Sequence, residues 1–167
     1  MKKRIGTILL VLILLVGIAI MLYPTVSDYV NSLHQSKAVA TYAESVDEMD
    51  TEQYEEMLEA ARQYNAALAQ KIQSYKLGDA EAEQYAQLLN VGLNGMMGYI
   101  EIPAISVSLP IYHGTSDLVL QTAVGHLEWT SLPVGGESSH CVLSGHRGLP
   151  SAKLFTHLDK VVKGDTF

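Results

Sequence analysis

A histidine set between two glycines is the residue of this sequence best suited to proton transfer. His146 follows a run of strand-forming residues at 140–144, and Gly145 and Gly148 bracket it together with Arg147. Glycines at the end of a strand let backbone and ligand approach closely, and an imidazole exchanges a proton near neutral pH. The pattern predicts a proton-transfer site at His146, although a histidine at a strand end is often structural or simply exposed.

The only cysteine, Cys141, is the residue that a thiol enzyme would need as its nucleophile. Five residues of extended chain would separate it from His146 by roughly 16 Å, and strand alternation would place the two side chains on opposite faces. A bulge could correct the facing but not the distance. The sequence therefore predicts that Cys141 is a small buried apolar side chain. A single cysteine also excludes an intramolecular disulfide framework and a CxxC metal or redox motif.

Other polar residues near this centre could serve different chemistry. Arg147 is either a clamp for an oxyanion or carboxylate, or one half of a surface ion pair. No pair of histidines has the helical i,i+4 or strand HxH spacing of a metal site, so none is predicted. The residues from which such a site could be built are His113, His126, His140 and His157. The sequence contains no GxSxG, P-loop or dinucleotide fingerprint.

Five ordered blocks of sequence surround or contain His146. They are MGYIEIP (97–103), LPIYHGT (109–115), VGHLE (124–128), SLPVGGE (131–137) and SGHRGLPSAKLF (144–155). The series closely resembles the first half of the catalytic domain of a class C sortase, a pilin-polymerising cysteine transpeptidase, over about residues 84–167. The resemblance implies an eight-stranded β-barrel with a Cys, His and Arg site. Such a site cuts an LPxTG-type sorting signal and passes the acyl group to a lysine amine of the next pilin subunit.

By motif match, the resemblance implies that His146 is the catalytic histidine. The Cys and Arg motifs of the family lie beyond residue 167, so this chain alone is expected to be inactive, and Arg147 is expected to form an ion pair. No Asp-Pro dipeptide is present, although many class C sortases carry one in a lid. The expected partner is the sorting-signal peptide of a pilin or surface protein, and no cofactor is expected. The alternative is a non-catalytic, membrane-tethered binding or scaffolding module.

The charge of the chain is distributed unevenly along its 167 residues. The formal net charge is −7, and residues 23–95 carry twelve acidic and four basic side chains. An acidic chain without a basic stripe argues against nucleic acid as a partner.

An uncharged apolar run at 5–23 predicts a transmembrane helix. Nineteen helical residues span roughly 28 Å, about the hydrocarbon thickness of a bilayer. Three basic residues precede the run, which predicts a cytoplasmic segment at 1–4, a single-pass anchor in the cell membrane and an extracellular remainder. A cleaved signal peptide is the rival interpretation. Pro24 is expected to end or kink the helix.

The rest of the chain divides into an extracellular helical stalk at 24–95 and a partial sortase β-barrel domain at 96–167. Asp50 and Gln53 have capping-box spacing at the start of one stalk helix. Its apolar face is predicted from residues with helical period, Tyr54, Met57, Leu58, Ala61, Tyr64, Leu68 and Ile72. In the β domain the sequence predicts strands at 99–102, 107–112 and 139–144, and a short helix at 151–158.

Overall fold

The computed structural model describes residues 2–71 and 76–167. Three helices come first in the chain: α1 (Lys2–Asp47), α2 (Thr51–Ala69) and α3 (Asp79–Gln87). A small β domain follows, with β1 (Met96–Ile102), β2 (Val107–His113), the short helix α4 (Asp117–Leu120), β3 (Val124–His126) and β4 (Leu143–Ser144). Two 3-10 turns, Pro103–Ile105 and Leu158–Lys160, complete the regular structure of the described residues.

Helix α1 runs without interruption through Pro24. Of the two expectations for this proline, the end of the helix is wrong, and a kink stays a prediction. Proline removes one backbone hydrogen bond from a helix interior. Beyond Pro24, side chains of α1 bond to the β domain, which offsets that loss: Gln35 donates to the Thr122 carbonyl and Tyr42 to the Met97 carbonyl. From Arg4 onward α1 is long and apolar enough to cross a membrane, and the side chains of its apolar run are exposed in the chain alone.

The capping box at the start of α2 is confirmed. The Asp50 carboxylate accepts the Gln53 N–H at 2.8 Å, and the Gln53 side chain accepts the Asp50 N–H at 3.3 Å. The apolar face also packs as expected: Ala61 and Tyr64 are buried, and Met57, Leu58 and Leu68 pack against them. Tyr54 remains exposed, and Ile72 lies outside the described residues.

The four strands form one open sheet in the order β1-β2-β3-β4. Strands β1 and β2 are antiparallel, β2 and β3 are parallel, and β3 and β4 are antiparallel. The first two strands confirm the prediction. Within the described residues the sheet does not close, so an eight-stranded barrel is not confirmed and what the structure shows is a mixed four-stranded sheet.

One hydrophobic core joins the helices to the sheet. Tyr64 of α2 and Tyr85 of α3 are buried together with Leu109 and Ile111 of β2 and Val124 of β3. The helices at 51–87 therefore cover a face of the sheet. The division at residue 95 stays a prediction, but α2 and α3 share their apolar surfaces with the β domain.

The predicted strand at 139–144 is shorter than expected, because regular pairing begins only at Leu143. Before it, side-chain hydroxyls take the place of part of the strand ladder. The Ser131 hydroxyl accepts the His140 N–H at 3.0 Å, and the Thr130 hydroxyl accepts the Val142 N–H at 3.1 Å. The backbone is thus satisfied without strand geometry.

The predicted helix at 151–158 is wrong. The chain turns back at Leu154, whose φ is +38°, and Leu154 bridges Arg147 in an antiparallel pair. The Phe155 N–H then donates to the His146 carbonyl at 3.1 Å. Long-range bonds to the His146 segment hold these residues out of a helix.

Candidate active site

His146 lies exposed just beyond the end of β4, where the chain leaves the sheet. The turn is tight because the Phe155 ring packs on Gly145. A Cβ at position 145 would lie 2.7 Å from Cδ2 of that ring, closer than real Cβ contacts come. A larger residue would force the ring to shift, so Gly145 permits this close packing of Phe155. The predicted approach of a ligand at Gly145 stays a prediction.

Residues 146–156 fold back on themselves to form the structure that we call the histidine loop. Gly148 has a φ of +78°, in the left-handed region that favours glycine, and its N–H donates to the Thr156 hydroxyl at 3.0 Å. The Phe155 N–H and the Arg147–Leu154 bridge close the rest of the loop. The imidazole at its start is open to solvent and to an approaching substrate, as proton transfer requires.

Arg147 forms an ion pair with Asp159, with 3.3 Å between Nη2 and Oδ1. Both side chains are more than half exposed, so the pair contributes little to stability. The contact is the surface ion pair that the sequence favoured for Arg147.

Cys141 is partly buried and precedes β4 in the chain, whereas the histidine loop follows β4. Burial raises the pKa of its thiol. Because the thiolate is the nucleophile in cysteine chemistry, a raised pKa makes this thiol less reactive. The structure thus gives Cys141 no activating environment.

A buried hydrogen-bond network around His126 is the feature that the sequence did not reveal. His126 is 0% exposed. Its Nε2 lies 2.9 Å from the Ser131 carbonyl, which can only accept, so Nε2 carries the proton. The Tyr85 hydroxyl then donates to Nδ1 at 2.9 Å and itself accepts the Gly114 N–H at 3.0 Å. The network ties α3 to the ends of β2 and β3.

His113 lies beside His126 in the parallel register of β2 and β3. Its Nδ1 faces the Gly95 carbonyl at 2.8 Å and its Nε2 faces the Leu88 carbonyl at 2.9 Å. Both nitrogens of His126 are hydrogen-bonded, and each nitrogen of His113 faces a backbone carbonyl. The two residues support the junction between α3 and the sheet.

A cavity of about 910 Å³ opens between the end of α2 and the loop that follows β3. Leu68, Leu77, Trp129, His140 and Val142 contribute to its wall. No residue of the histidine loop (146–156) is among its lining residues. The cavity and the histidine loop are thus separate features of the surface.

Comparison with known proteins places this geometry in a family. The sortase domain family matches residues 100–167, which contain the histidine loop. Sortase C1 of Streptococcus agalactiae is 45% identical over 77% of this chain and 67% of its own, with a TM-score of 0.74. The chain belongs to the class C sortases.

Two further solved structures extend the comparison. Sortase C of Streptococcus pneumoniae is 43% identical over 77% of this chain and 65% of its own, with a TM-score of 0.66. A lid mutant of sortase A from Corynebacterium diphtheriae is 41% identical over 66% of this chain and 60% of its own, with a TM-score of 0.57. This sortase chain spans about two thirds of the length of these relatives. No curated protein matches it.

The buried histidine of this sortase predicts a specific dependence of stability on pH. Burial lowers the pKa of His126, and the neighbouring His113 lowers it further, against the opposing effect of the Ser131 hydrogen bond. The unfolded chain has a histidine pKa of about 6.5. The stability that neutral His126 contributes is therefore complete above about pH 6.5. It is lost as the pH falls through the lower pKa that His126 has in the folded state. We expect the wild type to lose more free energy of unfolding than His126→Gln between about pH 7.5 and about pH 5.

Urea denaturation of the two proteins in detergent micelles measures this difference. Comparing the variant with the wild type cancels the contributions of titrating groups that do not interact with His126, whereas the interaction with His113 is part of the measured difference. Equal losses in the two proteins would contradict the prediction.

Proposed function

We propose that this chain carries the proton-transfer part of a membrane-anchored cysteine transpeptidase site. His146 acts as general acid and base: it protonates the departing amine when a thiolate attacks the sorting signal, and it deprotonates the lysine amine that resolves the acyl-enzyme. The substrate is an LPxTG-type sorting signal, and the product is a bond between pilin subunits. The single observation that carries the proposal is the exposed imidazole on a loop closed by Gly145 and Phe155, inside the region that matches the sortase domain.

The comparison supports pilin as the substrate class. The structure of sortase C from Streptococcus pneumoniae, 43% identical to this chain, bears on pilin substrate specificity. The apolar run of α1 supports an anchor in the cell membrane. We place the N-terminus in the cytoplasm and the β domain outside, because the basic residues of the first turn precede the apolar run.

We propose that the 167-residue chain by itself does not cleave its substrate. Its one cysteine is partly buried, its thiol has a raised pKa, and it stands five residues before His146 in the chain, with β4 between them. The chain is expected not to cleave an LPxTG-type peptide that carries a fluorophore and a quencher, because no activated thiolate is present to attack the peptide. Fluorescence of the peptide, incubated with the chain in nanodiscs, reports any cleavage.

Cys141→Ala is the control for this test. Turnover by the wild type that disappears in Cys141→Ala would show that Cys141 is a nucleophile and would overturn the proposal. The raised pKa of Cys141 also favours the second candidate function, a membrane-tethered module that binds a sorting signal without cutting it. Saturable binding of the peptide with no cleavage, followed by Trp129 fluorescence, would support that function.

A further inference from the structure

Helix α1, which contains the proposed membrane anchor, contacts the histidine loop directly. Two residues of α1 provide the contacts: the Asp28 carboxylate accepts the Lys153 N–H at 2.8 Å and pairs with the Lys153 amine at 3.1 Å, and the Asn31 amide donates to the Ser151 carbonyl at 2.8 Å. We call these three contacts the anchor clamp. They join residues about 120 positions apart in the chain.

The clamped segment is tied tightly to His146. The two neighbours of Lys153 are buried in the core: Ala152 is 1% exposed and Leu154 is 4% exposed. One residue further on, the Phe155 N–H bonds to the His146 carbonyl and the Phe155 ring covers Gly145. A displacement of Ser151 and Lys153 would therefore move the backbone that carries the imidazole.

The clamp also fixes where the site lies relative to the membrane. Asp28 and Asn31 follow the last residue of the apolar run, Tyr23, by five and eight positions along one continuous helix. At 1.5 Å per residue they lie about 8 and about 12 Å beyond it. The loop is thus held within the first turns of α1 outside the bilayer.

We propose that Asp28 and Asn31 are positioning residues for His146: through Lys153 and Ser151 they fix the histidine loop on the membrane-proximal turns of α1, so that anchor and site form one rigid unit. The proposal rests on the proposed function of His146 as the group that transfers the proton. Preorganised placement of a proton donor matters because a misplacement of about 1 Å can cost a large factor in rate.

Amide hydrogen exchange in the complete chain, reconstituted in nanodiscs, tests the clamp without requiring activity. Asp28→Ala combined with Asn31→Ala is expected to accelerate exchange at the Phe155 and Gly148 amides by about tenfold or more, because local opening of the loop becomes easier. Asp28→Asn keeps an oxygen for the Lys153 N–H and should restore most of the protection. The melting temperature should change little in any of these proteins.

Gln35→Ala is the matched control. Gln35 lies on the same helix and also donates to the β domain, to the Thr122 carbonyl at 2.7 Å, but it does not touch the histidine loop. Exchange that is faster in the clamp variants but not in Gln35→Ala supports the proposal. Unchanged exchange in the double variant, or an equal increase in Gln35→Ala, overturns it. Should the double variant fail to fold, the single variants Asn31→Ala and Asp28→Ala, each removing part of the clamp, provide the same comparison.

A failure of the clamp is distinguishable from a failure of the proposed function. Exchange at Phe155 and Gly148 reports only the placement of the loop, and it is independent of whether His146 transfers a proton. The proton-transfer role is tested separately by substitution of His146 itself.

Discussion

Replacement of His146 by alanine is expected to lower kcat/KM for cleavage of an LPxTG-type peptide by about 10²- to 10⁴-fold, the usual contribution of a general acid or base. The measurement uses a fusion of this chain with the C-terminal third of sortase C1 from Streptococcus agalactiae, which is 45% identical to it and of which it covers 67%. The fusion supplies a nucleophile from the relative while this chain supplies His146. Without the imidazole, the departing amine would leave unprotonated, and the loss should fall mainly on kcat.

His140→Ala is the control for that experiment. His140 is also exposed and lies six residues earlier, but it borders the separate cavity beside α2. Its replacement should leave kcat/KM within about threefold of the parent fusion, since it has no part in the proposed proton transfer. Equal activities of His146→Ala and His140→Ala would contradict the role of His146. Retained folding, checked by the melting temperature, separates a chemical from a structural loss.

Gly125→Ala is expected to destabilise the fold by about 3 kcal/mol, the upper end of the range for overpacking. A Cβ at this position of β3 would approach the Gly114 carbonyl oxygen more closely than real Cβ contacts come, and it would lie 3.2 Å from Cα of Thr115. Both contacts are with backbone, so no side chain can rotate away. Relief would require β2 and β3 to separate where Tyr112 pairs with Gly125, beside the hydrogen bonds of Tyr85.

Gly98→Ala is the matched change on the same sheet. Gly98 lies in β1, and a Cβ there would meet nothing within 4 Å. Urea denaturation followed by the fluorescence of Trp129, the only tryptophan, gives both free energies of unfolding. A difference of less than about 1 kcal/mol between the two variants would show that the strand pair yields more easily than its backbone contacts indicate.

The sequence predicted those parts of the fold whose determinants are local. The capping box of Asp50 and Gln53 needs only residues three apart, and the apolar face around Ala61 and Tyr64 needs only a helical period. The strands β1 and β2 are adjacent in the chain and joined by a short turn at Pro103, so their pairing is local as well. Patterns of this range are visible in a single sequence.

The sequence failed where distant residues decide the local structure. Residues 151–158 have a helical composition, but bonds to His146 and to Asp28 hold them in a folded-back loop. Pro24 looks like a helix end until the contacts of Gln35 and Tyr42 with the β domain are known. These contacts override intrinsic propensity, and periodicity does not encode them.

The candidate site shows the same division. His146 could be proposed from its flanking glycines and its motif, because both are contiguous in the chain, and its role stays a prediction. The network of His126 could not, since its partner Tyr85 is 41 residues away and belongs to a different element. A histidine whose ring nitrogens face Tyr85 and the Ser131 carbonyl is recognised only once the three elements are folded together.

With α1 inserted in a bilayer, as proposed above, the unbroken helix would make the orientation of the β domain sensitive to lipid composition. Tyr23 and Tyr42 are separated by nineteen residues of continuous helix, about 28 Å. Transmembrane helices adjust their tilt when bilayer thickness changes. A rotation of about 10° at the bilayer surface would carry Tyr42, together with the sheet bonded to it, sideways by about 5 Å. Under the proposed anchoring, thick and thin membrane regions would thus present the same surface of the β domain at different angles to the bilayer.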